Sequence, residues 1–375
     1  MNRPTTLREA IERADAILIG AGAGLPAADG DNHSGPVFDE RFADFRAERG
    51  ITDAYSGGFY PFPTPEERWA FWSRMISLLR YEAGPGQAYS DLLDLVRGRD
   101  YFVITTNVDH RFQNSGFDKE RLFYTQGDYG LLQCSGPCHD ATYDNESWVR
   151  EAVASQEGMR IPSELIPRCP RCGEEMTTNL RVDNRFVQDE GWMAAAGRYQ
   201  DFLERTSSGR VLHLELGVGM NTPSIIKFPF WRRVFDNPGA TYACVALDAA
   251  APAEITDRSL IIRSDIAEAL ASSRGSRSDA SAPYPRAGHL RPGGPYAHPA
   301  PSATEYTRGG SERIVRTRPV IPSRVPGGIR ARPNDAPGRD GGYPKESKRT
   351  CRPSPMVGCA IGRKRSCSYV RPPAM

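Results

Sequence analysis

Hydrophobic positions in the first 270 residues alternate between a helical period and short continuous runs. Leu7 and Ile11 fall on one face of a helix, and the apolar run of residues 16–19 then ends at a glycine. Pro65 is followed by two glutamates, which favour the first turn of a helix, and residues 87–96 carry a second apolar helical face. The pattern therefore predicts helices that alternate with short buried strands.

Later apolar runs continue this alternation. Strands are predicted at residues 101–105, 211–216, 242–247 and 260–262, and a closing helix at 266–270. Strands separated by helices of this length indicate the α/β class with a Rossmann-like, doubly wound, mostly parallel sheet. The large apolar side chains after Pro65 are interpreted as core rather than as a cofactor pocket. They are Trp69, Phe71, Trp72, Met75, Ile76 and Leu79.

Residues 134–181 interrupt this rhythm and carry two close pairs of cysteines. Three residues separate Cys134 from Cys138, two separate Cys169 from Cys172, and 30 residues lie between the pairs. Four thiolates in tight pairs fit a tetrahedral, structural Zn²⁺ ion that has no open coordination position. We therefore predict a small inserted zinc-binding module, and the alternative is a redox role for the four thiols.

Charge and composition divide the chain near residue 272. From residue 271 onward there are 20 Lys and Arg against 6 Asp and Glu, whereas the preceding residues carry a net charge of −12. We expect residues 1–272 to form the folded domain. Residues 273–375 cannot bury enough apolar surface to offset their ordering entropy. Three interpretations compete for that Arg/Pro/Gly/Ser-rich segment: a disordered basic tail, a nucleic-acid-binding arm, or a translation in the wrong reading frame. Its composition weakly favours the last.

The same counts exclude several functional classes. An acidic body disfavours a nucleic-acid substrate, because neutralisation of phosphates supplies most of that affinity. No run approaches the roughly 20 apolar residues of a membrane span, and the N-terminus lacks the apolar centre of a secretion signal. Paired cysteines suit metal binding in a reducing compartment. We expect a cytoplasmic protein that does not contact the membrane.

Glycine-rich turns follow two of the predicted strands. Glycine lets backbone N–H groups approach a phosphate, and the N-terminus of a following helix favours the anion. Taken alone, the first turn also fits an ordinary connection from strand to helix. The residues of interest in the two turns are Gly20, Ala21, Gly22, Gly24, Gly217, Gly219, Asn221 and Thr222.

The run Thr-Thr-Asn-Val-Asp at residues 105–109 ends another predicted strand. Open α/β sheets assemble their sites at this end of the strands, so Asn107 and Asp109 are candidate site residues. The alternative is that both side chains cap the next helix, as Asn and Asp commonly do.

As a set, the glycine turns, the 105–109 run and the four cysteines resemble the sirtuin family of NAD-dependent enzymes, over roughly residues 7–270. Deacylases of that family have a His-Gly pair whose imidazole serves as general base. Here the matching pair begins with Gln126, whose carboxamide cannot accept a proton near neutral pH. Arg181 matches an Arg that accompanies such a Gln in the macrodomain-linked sirtuins, and a guanidinium cannot act as a base either. The resemblance implies an NAD-dependent protein ADP-ribosyltransferase.

The resemblance also implies roles for individual residues. Asn107 and Asp109 would organise the nicotinamide ribose, Gln126 and Arg181 would position the acceptor, and these four form the catalytic set. The cofactor-binding set that the resemblance implies comprises Gly20, Ala21, Gly22, Gly24, Thr106, Asn107, Asp109, Gly217, Gly219, Asn221, Thr222, Asp248 and Asp265. NAD would be the co-substrate and Zn²⁺ a structural ion.

The resemblance suggests a lipoylated carrier protein as the acceptor, which the residues themselves do not indicate. The family's usual Asp-Phe-Arg is absent from the expected place after the first turn, so the cofactor loop must be built differently. Two rival hypotheses stay open. One is a lysine deacylase that uses a base other than histidine, and the other is a sensor that binds NAD or ADP-ribose without releasing nicotinamide.

Overall fold

The computed structural model describes residues 3–30, 32–220 and 223–274. These residues form a six-stranded parallel sheet with helices on both faces and a separate three-stranded antiparallel sheet. The predicted α/β class and mostly parallel sheet are therefore confirmed. The predictions for Asn221, Thr222 and the segment from residue 275 onward lie outside the described residues.

Nine strands occur in the described ranges. They are β1 (Ala16–Ala21), β2 (Tyr101–Thr105), β3 (Leu122–Tyr124), β4 (Gly127–Cys134), β5 (Tyr143–Asp144), β6 (Met176–Leu180), β7 (Val211–Leu216), β8 (Thr241–Val245) and β9 (Ser259–Ile262). The large sheet has the order β3-β2-β1-β7-β8-β9, and the small sheet has the order β5-β4-β6.

The strand order determines where a ligand can enter the large sheet. Strand β1 lies between β2 and β7, and Ala21 at its end is opposite both Thr105 and Leu216. The carboxyl ends of β1, β2 and β7 therefore lie at the same edge of the sheet. The strand order reverses at β1, because β2 lies on one side of it and β7 on the other. Open α/β sheets bind their ligands in the crevice outside such a switch point.

Helices cover both faces of the large sheet and connect it to the small one. They are α1 (Leu7–Arg13), α2 (Gly24–Ala28), α3 (Pro36–Arg41), α4 (Ala43–Arg49), α5 (Ala54–Gly58), α6 (Pro65–Ile76), α7 (Gln87–Val96), α8 (Arg111–Asn114), α9 (Glu146–Ala154), α10 (Glu190–Arg205), α11 (Lys227–Asp236) and α12 (Ile266–Ser273). Helix α6 begins as predicted, with Pro65 in its first turn and the Thr64 hydroxyl accepting from the Glu67 N–H. It continues into a π-helical turn at Ser77–Tyr81.

Three apolar clusters form the core. One lies under α1, α7 and α12, and a second lies on the opposite sheet face under α10 and α11. The third packs α3, α4 and α6 against the small sheet. Within it the Phe71 ring contacts Phe42 in a tilted arrangement and Phe45 edge to face. The prediction that the large apolar side chains after Pro65 are core is confirmed for the buried ones, which are Trp69, Phe71, Met75, Ile76 and Leu79. Trp72 is half-buried and lines a cleft instead.

Two local expectations were wrong. Strand β8 ends at Val245 rather than at residue 247, because Leu247 and Asp248 turn outward and are exposed at the sheet edge. Gly20 was expected to shape a turn, but it lies inside β1. Among the described residues, no helix combines the length and apolar character needed to cross a bilayer.

Candidate active site

Two glycine turns meet at the carboxyl edge of the large sheet. The Gly22 N–H donates to the Leu216 carbonyl at 3.0 Å, and the Gly24 N–H donates to the Gly217 carbonyl at 2.9 Å. A Cβ on Gly24 would lie 2.6 Å from the Gly217 Cα, and Gly217 itself has a φ of 62°. The backbones cross too closely for any side chain at this point, so the two turns predicted from distant sequence positions form one surface.

Gly20 has a different structural reason for lacking a side chain. A Cβ there would lie 2.3 Å from a methyl carbon of Ile226 and 2.7 Å from the ring of Phe230 on α11. Close packing of helix on strand therefore requires this glycine. Its contact with cofactor, like that of Ala21 at the end of β1, stays a prediction.

A cavity of about 310 Å³ extends from the glycine crossing. The residues that line it include Gly24, Gly217, Gly219, Asp248 and Asp265. Asp265 also begins α12, where its carboxylate accepts from the Glu268 N–H at 3.1 Å. The predicted adenine-side residues within the described ranges thus come together around one cavity.

Asn107 is fixed against the first glycine turn. Its side-chain Nδ2 donates to the Gly22 carbonyl at 3.0 Å, and its backbone N–H donates to the Thr105 hydroxyl at 3.0 Å. The neighbouring Thr106 N–H donates to the Ala21 carbonyl at 3.1 Å. Because the Asn107 amide bridges two strand ends, the alternative that it caps the next helix is wrong.

Asp109 is a buried carboxyl group, with 5% of its surface exposed. Burial raises its pKa, while the backbone N–H and charge of Arg111 and the charge of His33 oppose that rise. The carboxylate lies 3.5 Å from the Tyr89 hydroxyl and accepts at 3.1 Å from the N–H of Arg111, the first residue of α8. The alternative that the side chain caps the next helix therefore holds for Asp109. When ionised, this carboxyl group at the carboxyl edge of β2 can offset positive charge that develops nearby.

Gln126 and Arg181 are neighbours although 55 positions separate them. Gln126 precedes β4 and Arg181 follows β6, and the Arg181 N–H donates to the Gln126 carbonyl at 3.0 Å. The guanidinium carbon of Arg181 lies 5.8 Å from the centre of the Phe186 ring. In the described part of the chain this guanidinium has no carboxylate partner, so it is free to bind an anionic group.

Both of these side chains line a cleft of about 350 Å³ between α5, α6 and β6. Tyr55 and Phe59 stand at its rim, 75% and 62% exposed, with ring centres 5.1 Å apart. The remaining apolar walls come from α6, the 105–109 run and the small sheet. They include Trp69, Trp72, Met75, Val108, Tyr129, Leu180 and Val182.

The four cysteines of the inserted module come together at the end of β4, where Cys134 is the last residue. Their Sγ atoms all lie within 4.8 Å of one another, with Cys134 3.6 Å from Cys172 and Cys138 3.7 Å from Cys169. A Zn–S bond of about 2.3 Å in a tetrahedron requires S···S separations of about 3.8 Å, so the residues present fit Zn²⁺. His139 lies beside the cluster, with Nδ1 3.0 Å from the Cys138 sulfur and Nε2 2.7 Å from the Tyr143 hydroxyl.

Sequence reasoning missed several polar residues around Asp109. Asp29 accepts from the Ala88 N–H at 3.0 Å and pairs with Arg111 at 3.5 Å. His110 pairs with Asp128, which is also buried. A useful signal was the density of charged and His residues at 109–111, which is unusual for a segment next to a buried strand.

Comparison with known proteins places the chain among enzymes of one type. It is 40% identical over 262 residues to a "Protein ADP-ribosyltransferase" of Staphylococcus aureus. The aligned region covers 69% of this chain and 83% of that protein. It is 37% identical over 238 residues to a "Probable bifunctional ADP-ribose hydrolase/ADP-ribosyltransferase" of Fusarium oxysporum f. sp. cubense, which covers 59% of this chain but 38% of that protein. No family model matches the chain.

Solved structures of similar fold include a Sir2 homologue in complex with NAD. It has a TM-score of 0.47 and 16% identity, and the similarity covers 73% of this chain and 94% of that one. A Sir2 protein bound to a propionylated peptide has a TM-score of 0.46 and 19% identity, over 70% of this chain and 94% of that one. The identity to the bacterial relative extends over most of that protein, and the chain carries the family's motifs at its glycine turns, at residues 105–109 and at the four cysteines. The chain therefore belongs to the sirtuin family of NAD-dependent enzymes, among its protein ADP-ribosyltransferases.

Proposed function

We propose that this protein transfers ADP-ribose from NAD to a lipoylated carrier protein. Asn107 and Asp109 organise the nicotinamide ribose, and Gln126 and Arg181 position the acceptor. The C1′–N glycosidic bond breaks, and nicotinamide leaves with its electron pair. A bond from C1′ to the nucleophilic atom of the acceptor replaces it, and the proton of the acceptor, if it has one, passes to solvent.

The proposal rests on the chemistry of the residues that line the cleft next to Gln126 and Arg181, called the acceptor cleft below. Among the described residues that line the cleft, none has an imidazole, and Gln126 and Arg181 cannot accept a proton at neutral pH. Deacylation needs a base to activate the ribose hydroxyl that attacks the acyl intermediate. Transfer of ADP-ribose needs only departure of nicotinamide and an acceptor held close to C1′. This cleft favours the second reaction.

The shape of the cleft supports a long, apolar acceptor group. The exposed aromatic side chains of Tyr55 and Phe59 line the cleft together with Trp72, Met75 and Gln126. A lipoyl group on lysine has the length and apolar character to fill such a space while its carrier protein stays outside. The guanidinium of Arg181, which has no carboxylate partner among the residues that the structure describes, adds a place for an anionic group of the carrier.

The four cysteines would hold Zn²⁺ as a structural ion, which supplies stability to the small sheet when bound. Cys134 ends β4, and the knuckle of Cys169 and Cys172 leads directly into β6. Gln126 and Arg181 stand at the opposite ends of these two strands. The cysteine cluster would therefore fix the pairing of β4 with β6 and keep the acceptor-side residues together.

Release of nicotinamide and incorporation of labelled ADP-ribose, measured with lipoylated carrier and with the same carrier lacking lipoate, test the proposal. We expect label on the lipoylated carrier, and strongly reduced label without the lipoyl group. Label on neither carrier, together with removal of acetyl groups from lysine peptides, would support the deacylase instead. NAD binding without any nicotinamide release would support the sensor.

A further inference from the structure

His110 adopts a backbone conformation that residues with side chains rarely take. Its φ is 64°, and it is the single non-glycine residue with positive φ within the described ranges. This conformation is unfavourable for a residue with a Cβ and persists only where the surroundings hold it. Helix α8 begins at the next residue, but the His110 side chain makes no capping hydrogen bond to it. The helix therefore does not explain the conformation.

The side chain of His110 is instead bound to Asp128. Its Nδ1 lies 2.5 Å from the Asp128 Oδ2, and because a carboxylate only accepts, Nδ1 is the donor. Asp128 is 5% exposed, and its Oδ1 accepts from Arg80 Nε at 2.9 Å and from the Gly130 N–H at 2.8 Å. Burial alone would raise the pKa of Asp128, but the hydrogen bond and charge of His110 and the charge of Arg80 outweigh it and lower that pKa.

This contact joins three parts of the molecule. His110 follows β2 and Asp109 on the large sheet, Asp128 is the second residue of β4 on the small sheet, and Arg80 lies in the π-helical turn after α6. The Tyr129 N–H donates to the Val108 carbonyl at 2.9 Å and forms a parallel backbone tie. These contacts thus connect the cofactor side of the site to the acceptor side. His110 is the residue after Asp109, and Asp128 lies two residues after Gln126.

We propose that His110 is a positioning residue that, through Asp128, holds residues 105–109 in register with Gln126 and the acceptor cleft. This rests on the proposed transferase function. Loss of the contact leaves the cofactor side intact but moves the acceptor away from C1′. A displacement on the order of 1 Å costs up to about 100-fold in rate. Water then takes the place of the acceptor: the C1′–N bond still breaks, a C1′–O bond to water forms, and the proton of water passes to solvent.

Two substitutions of His110 distinguish the loss of its contact with Asp128 from a change in its backbone conformation. His110→Gly removes the donor and suits the positive φ, so we expect it to fold. His110→Asn keeps the contact, because the Asn Nδ2 occupies the place of the His Nδ1 and Asn tolerates the left-handed region. Asp128→Asn removes the carboxylate from the other side of the contact. Asn114→Gly, at the exposed end of α8, controls for added backbone flexibility.

The measurement is the ratio of ADP-ribose transferred to nicotinamide released, in the full-length protein with lipoylated carrier, alongside the melting temperature of each variant. We expect His110→Gly to lower this ratio about tenfold or more while nicotinamide release changes less than about threefold. Asp128→Asn should shift the ratio in the same direction, and His110→Asn and Asn114→Gly should keep the wild-type ratio.

An unchanged ratio in His110→Gly would overturn the inference while leaving the transferase function in place. Equal loss in His110→Gly and His110→Asn would also overturn it, because the imidazole itself would then be required. A wild-type protein that modifies no carrier would reject the transferase function and the inference with it.

Discussion

The two sheets of this protein present their functional residues in different ways. At the large parallel sheet, Gly22, Asn107 and Gly217 lie within two residues of the ends of β1, β2 and β7, and their positions are set by hydrogen bonds between neighbouring strand ends. At the small sheet, Gln126 and Arg181 flank two antiparallel strands, and only the pairing of β4 with β6 brings them together. The first arrangement is local to each strand end, whereas the second depends on a long insertion that carries the cluster of four cysteines.

This difference predicts which steps each region controls. Substitutions at the large sheet should impair every use of NAD, because they affect departure of nicotinamide. Substitutions at the small sheet and cleft should impair transfer to the acceptor and leave nicotinamide release largely intact. The following four predictions test that division, from the largest expected effect to the smallest.

Asn107→Ala should lower both nicotinamide release and ADP-ribose transfer by about 100-fold or more, because removing one fixed amide from the centre of a charge-stabilising site has effects of this size. Initial rates with saturating NAD measure it. Asn114→Ala, on the exposed end of α8, is the matched control and should leave both rates unchanged. Near-wild-type nicotinamide release in Asn107→Ala would remove this residue from the site.

Cys169→Ser should abolish zinc binding and lower the free energy of unfolding by about 4 kcal/mol or more, as expected when a structural metal is lost. Elemental analysis of the purified protein gives the zinc content, and denaturant titration gives the free energy. Cys244→Ser, at a buried cysteine of the large sheet outside the cluster, should retain the zinc. We expect transfer to fall further than NAD binding. Full zinc content in Cys169→Ser would contradict the four-cysteine site.

Arg181→Ala should lower transfer about 10- to 100-fold and change nicotinamide release much less, because in the proposed function the guanidinium binds the acceptor rather than the ribose. Arg185→Ala is the matched control, since Arg185 is exposed four positions later and pairs with Asp183. Parallel measurement of labelled carrier and free nicotinamide distinguishes the two steps. An equal fall in both rates would place Arg181 on the cofactor side.

The pH dependence of nicotinamide release should reflect Asp109. Burial raises the pKa of this carboxyl group, and only the ionised form can offset positive charge on the ribose. Release should therefore fall as the pH is lowered through that raised pKa, at a higher pH than an ordinary Asp would give. A rate profile with saturating NAD measures this, and Asp109→Asn should be slow at every pH and lack the acidic decline. An acidic decline that persists in Asp109→Asn would assign it to another group.

Much of the fold could be predicted because its signals are local. Strands β2 and β7 were predicted with the bounds that the structure has, since a buried parallel strand is a short continuous apolar run. The N-terminus of α6 was predicted from Pro65 and the two glutamates that follow it. The end of β8 was not, because nothing in the composition of residues 246–247 distinguishes a last strand residue from an exposed turn.

The candidate site, like the fold, could be predicted from the sequence only in part. The sequence by itself determined the types of group available: four cysteines at metal-binding spacing, glycines where backbones must cross, and Gln126 in place of a base. Only the tertiary structure decided that Arg181 adjoins Gln126, that an apolar cleft leads to both, and that His110 is held by Asp128. These relations join residues that are 18 positions apart for His110 and Asp128, 55 for Gln126 and Arg181, and 126 for Tyr55 and Arg181 across the cleft. Their distances depend on strand pairing and helix packing that no local pattern encodes.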